Sequence, residues 1–126
     1  FIFDLCYFNE SKSCISLIDI KAINQTNFKS LEALKKINFV YGAPSIIKIL
    51  ISNQFFSYIS KENSNDILVG FGGEPFSWNS AKELLKQLTI GSTIINFYGP
   101  TECTCMCSSY SLEPKKFFSE RFDFKK

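Results

Sequence analysis

The chain has 126 residues, a net charge of +2, no histidine, and 45% hydrophobic residues that include 14 phenylalanines. That length holds one domain or a piece of one, and the apolar share excludes a disordered chain. The signs of charge are interspersed, so nothing asks for nucleic acid, and no apolar run reaches the roughly twenty residues of a membrane span.

The first elements are the hardest to read. Residues 1–28 give no clear period, and Phe1-Ile2-Phe3-Asp4 does not read as a signal peptide. The opening reads as cut from something longer. Leu31, Leu34 and Ile37 stand at helical spacing among Lys29, Glu32, Lys35 and Lys36, which predicts a short amphipathic helix. Asn38 to Tyr41 is a strand candidate, and Gly42-Ala43-Pro44 turns the chain. Pro44 suits the first position of a helix that continues through Ile46, Ile47, Ile49, Leu50 and Ile51. Lys61 to Asn65 is polar and reads as a loop.

Ile67 to Phe71 is the next strand, ended by Gly72-Gly73. Ser77 is placed to cap a helix with Ala81, Leu84, Leu85 and Leu88 on one face. Lys82, Glu83, Lys86 and Gln87 fall on the other, and Gly91 is the expected stop. Thr93 to Phe97 and Thr104 to Tyr110 complete the strands. The order β-α-β-α-β predicts an α/β fold with a parallel sheet and right-handed crossovers. Ligands of such sheets bind beyond the carboxyl ends of the strands, where Tyr41, Phe71 to Gly73 and Phe97 to Gly99 fall.

Cys103, Cys105 and Cys107 alternate, so a strand would put all three on one face. Zinc sites favour C-x₂₋₄-C pairs, often with His, so small buried thiols are expected here. An odd total of five Cys fits reduced thiols in the cytoplasm.

The most informative stretch is Asn96-Phe97-Tyr98-Gly99-Pro100-Thr101-Glu102. Tyr98 can stack on a purine. Gly99 and Pro100 make a turn, one by freedom and one by a fixed φ. Thr101 can donate to a phosphoryl oxygen, and Glu102 offers a hard oxygen ligand for Mg²⁺. A plain strand–turn–strand connection with a solvated Glu102 accounts for the same letters.

This stretch resembles the N-x-Y-G-P-T-E motif of adenylate-forming (AMP-binding) enzymes, especially the adenylation domains of nonribosomal peptide synthetases. Leu68-Val69-Gly70-Phe71-Gly72-Gly73-Glu74-Pro75 is similar to the L-x-x-G-G-E segment that precedes it. Phe3-Asp4 resembles the F-D that opens the substrate pocket. Val40 to Ser45 resembles the apolar run and P-[ST] turn between them. The four matches keep their order and span nearly the whole chain, residues 1–126, as the central part of such a domain.

The resemblance implies a reaction: ATP–Mg²⁺ and a carboxylic acid give an acyl-adenylate, and the acyl group passes to a carrier protein's phosphopantetheine thiol. It implies that Asn96 bonds the adenine amino group, that Tyr98 stacks on the ring, and that Gly72, Gly73 and Glu74 wall it. Phe97 and Gly99 belong to the same nucleotide segment. Thr101 would touch the α-phosphate and Glu102 would hold Mg²⁺. The substrate pocket would take Asp4, Leu5, Phe8, Tyr41, Val69, Phe71, Phe97, Cys105 and Met106. Asp4 would pair with a substrate α-ammonium, and the bulk of the rest points to a small or slender apolar amino acid. Each of these side chains also has a plainer use, as core packing, a turn or a helix start.

The 126 residues do not include the family's Ser/Thr/Gly-rich phosphate loop, its ribose-binding aspartate or its C-terminal lysine subdomain. The chain alone is therefore expected to be inactive. The alternatives are a fragment of an acyl- or aryl-CoA ligase, or a noncatalytic α/β interaction remnant. Pro100 and Asp4 favour amino-acid activation.

Overall fold

Among the described residues, three parallel strands and one antiparallel strand form a single sheet in sequence order. This is a computed structural model, and it describes residues 34, 37–62, 66–100 and 106–119. The strands β1 (Phe39–Gly42), β2 (Leu68–Gly72) and β3 (Thr93–Tyr98) run parallel, and β4 (Ser108–Leu112) runs back along β3. The α/β class and the parallel sheet are as the alternation of patterns predicts.

Helix α1 (Pro44–Ser52) starts with Pro44 in its first turn, where a missing N–H costs nothing. It stops at Asn53, and Gln54 takes a left-handed φ of 58°. A second helix, α2 (Phe55–Glu62), follows at once and takes in Lys61 and Glu62, which composition assigns to a loop. Its apolar residues Phe55, Phe56 and Ile59 are fully buried, and this burial decides the matter over the polar end. Moving each such side chain out of water is worth about 1.5–3 kcal/mol.

Helix α3 (Trp78–Gln87) is capped as predicted: the Ser80 amide donates to Ser77 Oγ at 3.2 Å. Ala81, Leu84 and Leu85 are buried, and Leu88 packs against the core. Two expectations are corrected. Gln87 is buried, not on the polar face, and its Nε2 donates to the Ile51 carbonyl at 2.9 Å. The helix also ends at Leu88, which is extended, rather than at Gly91. Gly91 serves a different contact, because the Asp66 carboxylate occupies the space a Cβ would need.

The fourth strand is Ser108–Leu112, not Thr104–Tyr110. Its ladder with β3 ends at Tyr98, whose carbonyl accepts from the Cys107 amide at 2.9 Å. Cys107 is exposed, which corrects the expected buried thiol; Cys103 and Cys105 lie outside the described residues. Helix α4 (Pro114–Ser119) follows, and Phe117 meets Trp78 of α3 edge-on at 5.7 Å.

Helices α1, α2 and α3 pack on one another and on the same inward strand residues, so they cover one face of the sheet. Val40, Val69, Phe71, Ile94 and Leu112 meet Ile47, Leu50, Phe56, Ile59, Leu84 and Leu85 there in one core. Leu34 belongs to it, although most of the helix predicted around it lies outside the described residues. Among the described residues, no helix is long and apolar enough to cross a membrane.

Candidate functional site

The carboxyl ends of the parallel strands form one rim, because their registers are level. Gly42 pairs with Phe71, Phe71 with Asn96, and Gly72 with Phe97. The Gly72–Glu74 turn and the Asn96–Gly99 segment therefore stand side by side. Asp4, Leu5, Phe8, Thr101, Glu102 and Cys105 lie outside the described residues.

Side chains alternate along a strand, and this splits the candidate residues between the two faces of the sheet. Asn96 and Tyr98 share the face of the buried Ile94 but extend past the core, and both are exposed. Tyr41 and Phe97 are on the other face. Their rings lie 6.2 Å apart, edge to face, and Phe39 stacks on Tyr41 at 6.5 Å. The three rings close over Gly70, where an added Cβ would stand 3.0 Å from Tyr41 and 3.1 Å from Phe97. Asn96 and Tyr98, assigned to adenine, thus fall on the face opposite Tyr41 and Phe97.

Val69 and Phe71 do not join Tyr41 and Phe97. Both are buried among the helices, and Phe71 packs on Phe76 at 4.1 Å. On β2 the residues facing the aromatic side are Leu68, Gly70 and Gly72. The period of two holds the signal: glycines alternating with Val69 and Phe71 mark the face where rings or a ligand come close. Met106 is half-buried just before β4.

The two turn glycines have different reasons to be glycine. A Cβ on Gly72 would stand 2.6 Å from the Phe97 carbonyl oxygen. Gly73 has φ +85° and open space around it. That left-handed turn is open to approach, and Asn96 and Tyr98 are exposed on the adjacent strand β3. The described residues at this rim fit an adenine. Among them no three His, Cys, Asp or Glu gather into a metal site.

Glu74 carries the most specific hydrogen bonds of the rim. The Ser45 amide donates to its Oε2 at 3.0 Å, and Ser45 Oγ donates to Oε1 at 3.2 Å. The sequence offers Ser45 only as the hydroxyl residue of the P-[ST] turn, yet a signal for this contact is present. Ala43 at the N-cap has no side-chain acceptor, so the free N–H of α1 needs one from elsewhere.

No curated protein matches the chain. Residues 17–121 match the family described as AMP-binding enzyme, a span that covers every described strand and helix. With the sheet and the level rim that this match falls on, the chain belongs to the AMP-binding enzyme family, whose members form adenylates.

Proposed function

We propose that this chain is the central part of an adenylation domain of the nonribosomal-peptide-synthetase kind. It would activate an amino acid with ATP and Mg²⁺ as an acyl-adenylate, for transfer to the phosphopantetheine thiol of a carrier-protein domain in the cytoplasm. One observation carries the reading. The Gly72–Glu74 turn and the Asn96–Gly99 segment share a single edge of the sheet through the Gly72–Phe97 pairing.

The residues divide the work as follows. Asn96 offers an amide to the polar edge of adenine, and Tyr98 offers a ring face. Gly72 and Gly73 keep the approach free of side chains. Thr101 donates to the α-phosphate. Glu102 supplies an oxygen ligand for Mg²⁺, whose charge on the phosphates is worth several kcal/mol in the transition state. ATP supplies the adenylyl group, with pyrophosphate as the leaving group. On the other face, Tyr41 and Phe97 limit the acid's side chain to something small or slender.

Asp4 sets the substrate class in this reading. No Lys or Arg stands among residues 5–11 that follow it, and a substrate α-ammonium would supply a partner charge. The test uses the full-length protein that carries this chain. Pyrophosphate exchange is measured for wild type and Asp4→Ala, with matched acids that bear or lack the α-amine. Wild type is expected to prefer the amine-bearing acid by at least about tenfold, a charge pair's worth, and Asp4→Ala to lose that preference. Equal discrimination by both proteins would move the reading to an acyl- or aryl-CoA ligase.

A further inference from the structure

Glu74 stands at the rim, yet both of its carboxylate oxygens are engaged by Ser45, 29 residues earlier in the chain. Ser45 is in the first turn of α1, after a proline without an N–H and an alanine without a capping side chain. Its amide is the first donor of α1 that lacks a partner within the helix, and a carboxylate there also meets the positive end of the helix dipole. The Gly72–Glu74 turn is thus held at both ends. Gly72 is pressed against the Phe97 carbonyl of β3, and Glu74 is tied to α1. Only Gly73, at φ +85°, lies in open space between these two anchors.

We propose that Glu74 is a positioning residue. By capping α1 at Ser45 it fixes the Gly72–Gly73 backbone at the height where the nucleotide lies, and its charge does not itself meet the ligand. The nucleotide part of this inference rests on the adenylation reading above; the cap does not. It differs from the role implied by resemblance, in which Glu74 is itself a wall of the adenine site. Its effect passes through the helix start that faces it.

Three variants of the full-length protein test this: Glu74→Ala, Glu74→Gln and Ser45→Ala. A Gln side chain keeps an acceptor for the Ser45 amide, and its own amide can donate to Ser45 Oγ, so the cap survives without the charge. Two readouts are taken: hydrogen exchange at the Ser45 amide without substrate, and kcat and KM for ATP in pyrophosphate exchange. Glu74→Ala is expected to speed exchange at Ser45 by about tenfold, the scale of a lost helix cap. It is expected to raise KM for ATP by about fivefold, with kcat within about twofold. Glu74→Gln should restore both values to within about twofold of wild type, and Ser45→Ala should give a smaller rise in KM. A simple loss of folding would lower the active fraction, and so kcat, and leave KM alone.

If Glu74→Gln is as impaired in KM as Glu74→Ala, the charge meets the ligand directly and the proposal is overturned. Unchanged KM in Glu74→Ala also overturns it. Should wild type show no acid-dependent exchange, the adenylation reading falls. The amide-exchange arm then still decides the cap: unchanged Ser45 exchange in Glu74→Ala would remove it.

Discussion

Gly72 and Phe97 are register partners on adjacent parallel strands, and a Cβ on Gly72 would stand 2.6 Å from the Phe97 carbonyl oxygen and 3.2 Å from its Cβ. The obstruction is backbone, which does not swing aside as a side-chain tip would. The closeness of these two residues is what brings the turn after β2 against the segment after β3. Gly72→Ala is therefore expected to destabilise the protein by about 1–3 kcal/mol, the usual cost of forcing an atom into filled space. Urea denaturation reads this as a lower midpoint with an unchanged slope. An unchanged midpoint would show that the strands separate freely there.

The two faces of β2 and its neighbours should respond differently to truncation. Phe71 is 2% exposed and lies in the helix-side core, whereas Tyr41 is 37% exposed and lies on the aromatic side. Phe71→Ala is expected to cost about 3–5 kcal/mol, as large core deletions do. Tyr41→Ala is expected to cost only about 0.5–1.5 kcal/mol, the worth of its ring contacts. In the full-length protein Tyr41→Ala should instead widen the range of acids accepted in pyrophosphate exchange. If Tyr41→Ala were the more destabilising change and left selectivity alone, the aromatic side would be core and not a pocket.

The particular elements show how much of this was legible. Pro44 and Ser77 announce their helices, and the β-α-β-α-β rhythm yields the parallel strands and the rim at their carboxyl ends. The motif order also pointed to the family to which residues 17–121 belong. Local patterns lost where a distant partner decides the outcome. Gln87 looks like a surface residue until the Ile51 carbonyl is brought beside it. Lys61 and Glu62 look like a loop until Phe55, Phe56 and Ile59 are buried together. The motif groups Val69 and Phe71 with Tyr41 and Phe97 because it supplies letters and not faces. The strand period separates them, since residues one apart point opposite ways. The Ser45–Glu74 contact spans 29 residues and leaves only an indirect trace, a helix start with no cap of its own.

Acid activation by ATP at this rim is read out by isotope exchange between pyrophosphate and ATP in the full-length protein. The measurement compares wild type with Glu102→Ala, with and without a small apolar amino acid and Mg²⁺. Exchange in wild type is expected to require both the acid and the metal. A fall of at least about a hundredfold is expected in Glu102→Ala, since metal-borne charge stabilisation is worth several kcal/mol. Exchange in Glu102→Ala equal to wild type, or no acid-dependent exchange in wild type with any carboxylic acid, would contradict acid activation at this rim.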